Sequence, residues 1–350
     1  MTNFRMIFAY GLSGLFLPFG AAAQQSPTAA VVAPANSAAG NDIAAGVRAA
    51  FQKAGRPVEI VRVHEHCSGA KDVAAAEKAV ENGADFVIGY SCDASAAAAR
   101  EIYEKAQIPF FAVFSVLPCL TAQKNALLFR LATNAAKQFD VFADTLNDKY
   151  RGKRFLIVSD GTKEGDRLAA VLKKKFPSDT FKSLSLPPNQ MNKNINKIKE
   201  VIDFNENYTL VSSVSPQQAV RLISRLREEG IKSPVIGLNV LKTVEFSKMI
   251  GSMKHGVRFL DAEDFRYSPD AAEIVADFRL NGTEPSETML AAYTAAQIWM
   301  QTAKKTPLSQ KGTKYRTVLG EISFDAFGDM NALLPQSVYE WRGNTYVKSR

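Results

Sequence analysis

Residues Val58 to Phe114 constrain this chain more than any other stretch. Apolar and amphipathic runs alternate there: Val58–Val63, Asp72–Asn82 closed by Gly83, Asp85–Tyr90, Ala94–Lys105 and Ile108–Phe114. Mostly apolar strands separated by helix-length segments predict a parallel sheet covered by helices on both faces. Cys67 and Cys92 fall at the ends of the first two of these strands.

The pattern starts upstream and then repeats. Thr28–Ala33 reads as a buried strand, followed by a Pro/Asn/Ser/Gly loop at 34–41 and a helix from Asp42 to Ala54 with Asp42 as its cap. Beyond a join near 131–137, helix and strand alternate again. The expected elements are helix Gln138–Tyr150, strand Arg154–Ser159, helix Asp166–Phe176, strand Phe181–Leu184, helix Asn192–Asp203 and strand Tyr208–Ser212. Helix Pro216–Glu229, closed by Gly230, precedes strands Pro234–Gly237 and Gly256–Leu260. Helices over Ala271–Asn281 and Ser286–Lys304 follow, the second carrying Tyr293 and Trp299 as core residues. A short strand Glu321–Phe324 and a hairpin Ser337–Trp341/Thr345–Lys348 complete the chain. The halves read as two copies of one architecture.

The amino terminus reads as an export leader. Arg5 precedes an apolar run through Phe19, and Ala21-Ala22-Ala23 offers small residues for cleavage after Ala23. Gly11, Gly14 and Pro18 interrupt the run, which falls short of the roughly 20 apolar residues a membrane span needs. No Cys lies near the cut to take a lipid. Removing residues 1–23 takes the formal charge from +8 to +7. That basic excess is dispersed over amphipathic helices, as in Lys173-Lys174-Lys175, without interleaved aromatics, which argues against nucleic-acid binding. Three Cys in an exported chain predict one bridge and one leftover thiol. Neighbouring parallel strands favour Cys67 with Cys92, a bridge worth roughly 3 kcal/mol. Cys92 with Cys119 is the alternative pairing. A leftover Cys119 is expected to be buried and inert.

Several landmarks resemble the branched-chain amino-acid (Leu/Ile/Val)-binding proteins of ABC importers, which are type I periplasmic solute-binding proteins. The densest are His66-Cys67, Glu77-Lys78-Ala79-Val80, Asn82-Gly83, Phe86-Val87-Ile88-Gly89, Cys92 and Ile102-Tyr103-Glu104. Gly46, Phe129-Arg130, Gly165, Gly230-Ile231-Lys232 and Phe324-Asp325-Ala326-Phe327-Gly328-Asp329 extend the likeness over the mature chain. The resemblance implies two Rossmann-like lobes joined by three hinge crossovers, near 131–137, 260–266 and 320–326. One lobe would take 24–133 and 264–322, the other 134–263 and 323–350. It also implies a Cys67–Cys92 bridge, a monomer in the periplasm and a small-molecule ligand. The partner would be an ABC permease in the inner membrane. No cofactor and no metal are expected.

In open α/β sheets a ligand sits beyond the carboxyl ends of the strands, where helix amino termini and loop amides point inward. The candidate ligand-binding residues there are Ser91, Asp93, Phe114, Ser115, Val116, Lys163, Ser215 and Asn239. Several of them depart from the family pattern. Asp93 stands where the family has a hydroxyl for the ligand carboxylate, and Asn239 where it has an acid for the ligand ammonium. Phe114 and Val116 lie in a loop that is usually Ser/Thr-containing. Ala39 and Lys163 or Glu164 replace the usual flanking aromatics. An amino acid or similar small polar metabolite is the expected ligand, with Asp93 either receiving a cationic or hydroxylated group or capping the helix at Ala94. The diverged pocket motivates an alternative, a ligand sensor or partner-binding module without a transport role.

Enzyme readings fare worse. Gly89-Tyr90-Ser91-Cys92-Asp93 is similar to a nucleophile elbow but lacks its last Gly, and the only late His is His255. His64-Glu65-His66-Cys67 carries metal-capable groups without a third suitably spaced ligand, since a bridged Cys67 cannot coordinate. Neither common glycine-rich phosphate-loop pattern occurs. Binding with hinge closure, not catalysis, is the expectation.

Overall fold

The computed structural model describes residues 26–187, 196–198, 200–201, 208–213, 215–302, 313–331 and 333–349. The leader over 1–23 and most of the helix read over Asn192–Asp203 lie outside the described residues.

A five-stranded parallel sheet forms first. Its strands are β1 (Thr28–Ala33), β2 (Glu59–His64), β3 (Phe86–Gly89), β4 (Phe110–Ala112) and β5 (Leu128–Arg130), in the order β2-β1-β3-β4-β5. Alternation along the strands splits its core in two. Ala29, Val31, Phe86, Ile88, Phe111 and Phe129 face one side, where α1 (Ala38–Lys53), α8 (Ala272–Leu280) and α9 (Glu287–Thr302) pack. Ala30, Val32, Val87, Phe110 and Leu128 face the other, under α2 (Ala70–Glu81) and α3 (Asp93–Lys105). Tyr293 and Trp299 lie in the first of these cores. Helices α1 and α9 approach so closely that a Cβ on Gly46 would sit 2.1 Å from the Met289 carbonyl oxygen. No residue but Gly fits there.

The second sheet has seven strands in the order β14-β13-β10-β9-β8-β6-β7. Strands β6 (Arg154–Ser159), β7 (Phe181–Ser185), β8 (Tyr208–Ser213), β9 (Val235–Leu238) and β10 (Val257–Ala262) run parallel, and β13 (Gln336–Arg342) and β14 (Thr345–Lys348) add an antiparallel edge. Leu156, Val158, Val235 and Phe259 pack against α6 (Pro216–Glu228) and α7 (Val244–Ile250). Phe155, Ile157, Ile236 and Leu260 pack against α4 (Ala135–Lys149) and α5 (Lys163–Lys175). The chain therefore crosses between sheets three times: after β5, after β10, and after the small hairpin β11 (Lys314–Thr317)/β12 (Gly320–Ser323), whose Tyr315 and Ile322 join the first core.

Several local expectations are corrected. Helix α1 starts at Ala38, where the Ser37 hydroxyl accepts from the Gly40 amide at 3.1 Å. Asp42 therefore lies inside the helix and accepts the Ser286 hydroxyl at 2.7 Å. Asp93 is the first helical residue of α3, and Cys92 holds the cap position. Cys119, expected to be buried, is exposed on the 3-10 turn Pro118–Thr121, whose Leu120 and Thr121 face inward instead. Strands β5 and β11 and helix α7 are too short to register as periodic runs.

Candidate functional site

The carboxyl ends of the strands in both sheets turn toward one another, and the loops there satisfy their own polar groups first. In the first sheet Cys67 and Cys92 are bonded, with Cα atoms 5.5 Å apart. Beside them Glu65, only 2% exposed, accepts the amides of Ser91 and Cys92 at 2.8 Å each and the Ser91 hydroxyl at 2.6 Å. Asp72 is fully buried and accepts from the amides of His66, Ser68 and Gly69 and from the Ser95 hydroxyl. Burial alone would raise its pKa, but those hydrogen bonds bring it below the ordinary carboxylate value. Tyr90 adopts φ +55°, a left-handed conformation, and its amide donates to the Val32 carbonyl at 3.1 Å.

A buried arginine fixes the segment that follows β4. The Arg130 side chain is fully buried, pairs with Asp329 at 2.7 Å, donates to the Leu117 carbonyl at 2.7 Å and also reaches the Thr121 hydroxyl. Asp329 further accepts from Asn134 at 2.6 Å, at the cap of α4. The first and third crossings are thereby joined through one ion pair. Asp93 takes the Leu117 amide at 2.9 Å, so its carboxylate ties α3 to this segment rather than standing free.

In the second sheet Asp160, 2% exposed, follows β6 and accepts the Thr162 amide and hydroxyl at 3.1 and 2.7 Å, and the Ser215 amide at 3.1 Å. The hydroxyls of Thr162 and Ser215 cap α5 and α6. Between these loops and Val116-Leu117 of the first lobe lies a cavity of about 270 Å³. Its apolar wall is Val116, Leu117, Ala135, Phe139, Leu168, Leu238 and Val240, and its polar groups come from Gln138, Asp160, Thr162, Glu164, Ser215 and Asn239. Two α/β lobes meeting around a partly enclosed cavity at the strand ends form a candidate binding site, and no catalytic constellation accompanies it among the described residues.

Residues 22–337 match the family model described as periplasmic binding protein. The chain belongs to the periplasmic binding protein family. It is a relative of the branched-chain amino-acid receptors of ABC importers, and its general role is that of an importer's solute-binding protein. The Leu/Ile/Val-binding protein homolog 2 of Brucella abortus (strain 2308) is 26% identical over 328 residues, 87% of each chain. The leucine-, isoleucine-, valine-, threonine-, and alanine-binding protein of Pseudomonas aeruginosa is 22% identical, over 82% of this chain and 79% of that one. In fold, an ABC transporter substrate-binding protein from Desulfitobacterium hafniense superposes with a TM-score of 0.76 at 17% identity, covering 93% of this chain and 100% of that one. Periplasmic binding proteins hold and release solutes without transforming them, and this chain is accordingly not an enzyme.

In this periplasmic binding protein the cavity brings together Val116, Ser215 and Asn239 of the residues singled out from sequence. Lys163 lines a wider neighbouring groove with Cys119, Asn134 and Arg167. Ser91 is held by Glu65, Phe114 packs against the first core, and Ser115 is fully buried with its hydroxyl unpartnered among the described residues. Sequence reasoning missed Glu65, Asp160, Gln138 and Phe139. An acid one residue past a strand and just before a loop was the available signal for both Glu65 and Asp160.

Proposed function

We propose that this periplasmic binding protein captures an amino acid or a similar small metabolite in the cavity between its lobes and presents it to an inner-membrane ABC permease. The carrying observation is the cavity itself, walled by three loops of the second sheet, by α4 and by the Arg130-held Val116-Leu117 segment of the first. Relatives named for binding leucine, isoleucine and valine, at 22–26% identity, support a ligand of that size. Because the two walls belong to different lobes, a bound solute favours the closed arrangement by its contacts with both. Export through a leader cut after Ala23 would deliver the receptor to the periplasm.

The test is differential scanning fluorimetry of the mature protein against a metabolite panel, with small-angle scattering on any hit. A rise in Tm together with a smaller radius of gyration is expected for at least one solute. A protein indifferent to every small solute would instead be a sensor or partner-binding module of receptor shape, as its diverged loops allow.

A further inference from the structure

We infer that the cavity accepts a small solute with an apolar body and an uncharged hydrogen-bonding head, a primary amide or an alcohol, and rejects a carboxylate. This rests on the reading of the chain as a solute receptor and narrows the class of its ligand.

Loop amides at both sheet tips that could meet a carboxylate are already taken by the chain's own acids. Loop amides and helix amino termini at strand ends are the natural seat for an anion. In the first lobe Glu65 fills that seat, taking two amides and one hydroxyl, and Asp93 takes the Leu117 amide. In the second lobe Asp160 takes the amides of Thr162 and Ser215 and the Thr162 hydroxyl. An incoming carboxylate would have to sit beside the buried like charge of Asp160 with no Lys or Arg of the cavity lining to offset it, which raises its free energy in a poorly solvated site.

A zwitterion's carboxylate finds no counterion in the cavity, and its ammonium finds only acids that already hold partners. Among the described residues, no Lys or Arg lines the cavity. Of its two acids, Asp160 has three donors and Glu164 is paired with Arg167 at 3.3 Å, so neither awaits an ammonium. What remains unsatisfied is neutral. The carboxamide groups of Gln138 and Asn239 reach the cavity and make no hydrogen bond to a described residue. A carboxamide offers both donors and an acceptor, which complements an amide or hydroxyl head. Val116, Phe139, Leu238 and Val240 supply the surface for the apolar body.

The test holds the body constant and varies the head. Isovaleramide, isopentanol, isopentylamine, isovalerate and leucine share one branched body and are titrated calorimetrically into the mature protein. Isovaleramide or isopentanol should bind about tenfold tighter than isovalerate or leucine, the scale of one unpaired buried polar group. Gln138→Leu should weaken the amide by about the same factor, with Tm in the absence of solute as the check on folding. Tightest binding by isovalerate, leucine or isopentylamine overturns the inference while sustaining the receptor reading. If only another solute of the broad panel binds, its head decides: a charged head overturns the inference and an uncharged one upholds it. Binding by no solute at all removes the receptor reading, and this inference with it.

Discussion

The tips of the two sheets face the same problem, loops rich in unpaired amides, and solve it by different means. The first lobe uses a disulfide, two buried carboxylates and a tyrosine held in a left-handed conformation. The second uses hydroxyl caps on α5 and α6 and one buried acid, Asp160, with no disulfide among the described residues. The covalently braced lobe gives the cavity only Val116 and Leu117, and the second lobe gives nearly all the rest. Under the proposed receptor function, rigidity and recognition would be separated, one jaw serving as a fixed stop and the other carrying the groups that choose the solute.

The largest blow to that division would fall on Asp329. It neutralises Arg130, whose side chain is fully buried and pins the Leu117 carbonyl. Asp329→Ala leaves an uncompensated interior charge and should cost about 3–5 kcal/mol in chemical denaturation. Asp329→Asn, which can still accept hydrogen bonds, should cost less. A loss below about 1 kcal/mol for the alanine variant would remove Arg130 as the pin of the fixed jaw.

Next in size is the bridge itself. The paired Cys67→Ala/Cys92→Ala change opens a loop of 25 residues and should lose roughly 3 kcal/mol. Hydrogen exchange should quicken over residues 59–105 and stay unchanged over 154–176. Faster exchange in both segments would mean that the lobes do not divide the labour as described.

Legibility from sequence followed the same division. Strands flanked by full-length helices announced both parallel sheets, because burial on both faces leaves continuous apolar runs such as Phe86-Val87-Ile88 and Phe155-Leu156-Ile157. Strand ends pointed to the region of the candidate cavity. The partners of the individual side chains there stayed hidden, since they depend on contacts across distant stretches. Asp93 binds an amide 24 residues away, and Asp329 an arginine 199 residues away. Glu65 was masked by the histidines around it, whose metal-capable chemistry drew the eye from a buried carboxylate with three donors.

Acid should separate the jaws by a smaller margin. The Asp72 pKa lies below its ordinary 3.8, so its contribution is complete above that value and is lost as pH falls through the lower folded value. Asp72→Asn should cost about 1–2 kcal/mol near neutrality, where the amide must point donors at donors. It should also flatten the acid limb of the stability curve. An unaltered acid limb in the variant would show that other groups carry the acid sensitivity of this lobe.

The smallest effect probes the contact between the jaws. Lys242, just after β9 in the second lobe, pairs with Asp261 at 2.7 Å and reaches Glu287 at the start of α9, packed on the first, at 3.4 Å. Burial disfavours its charge, yet the two acids hold its pKa above the ordinary lysine value. Glu287 is half exposed, so the longer contact is worth less than about 1 kcal/mol and is weakened by salt. Glu287→Gln should therefore leave Tm nearly unchanged while shifting solute affinity by less than about fivefold, and raised salt should erase the difference. A shift that persists in high salt would mean that α9 positions the second jaw through packing rather than charge. The boundary between fixed stop and selective wall would then run through that helix.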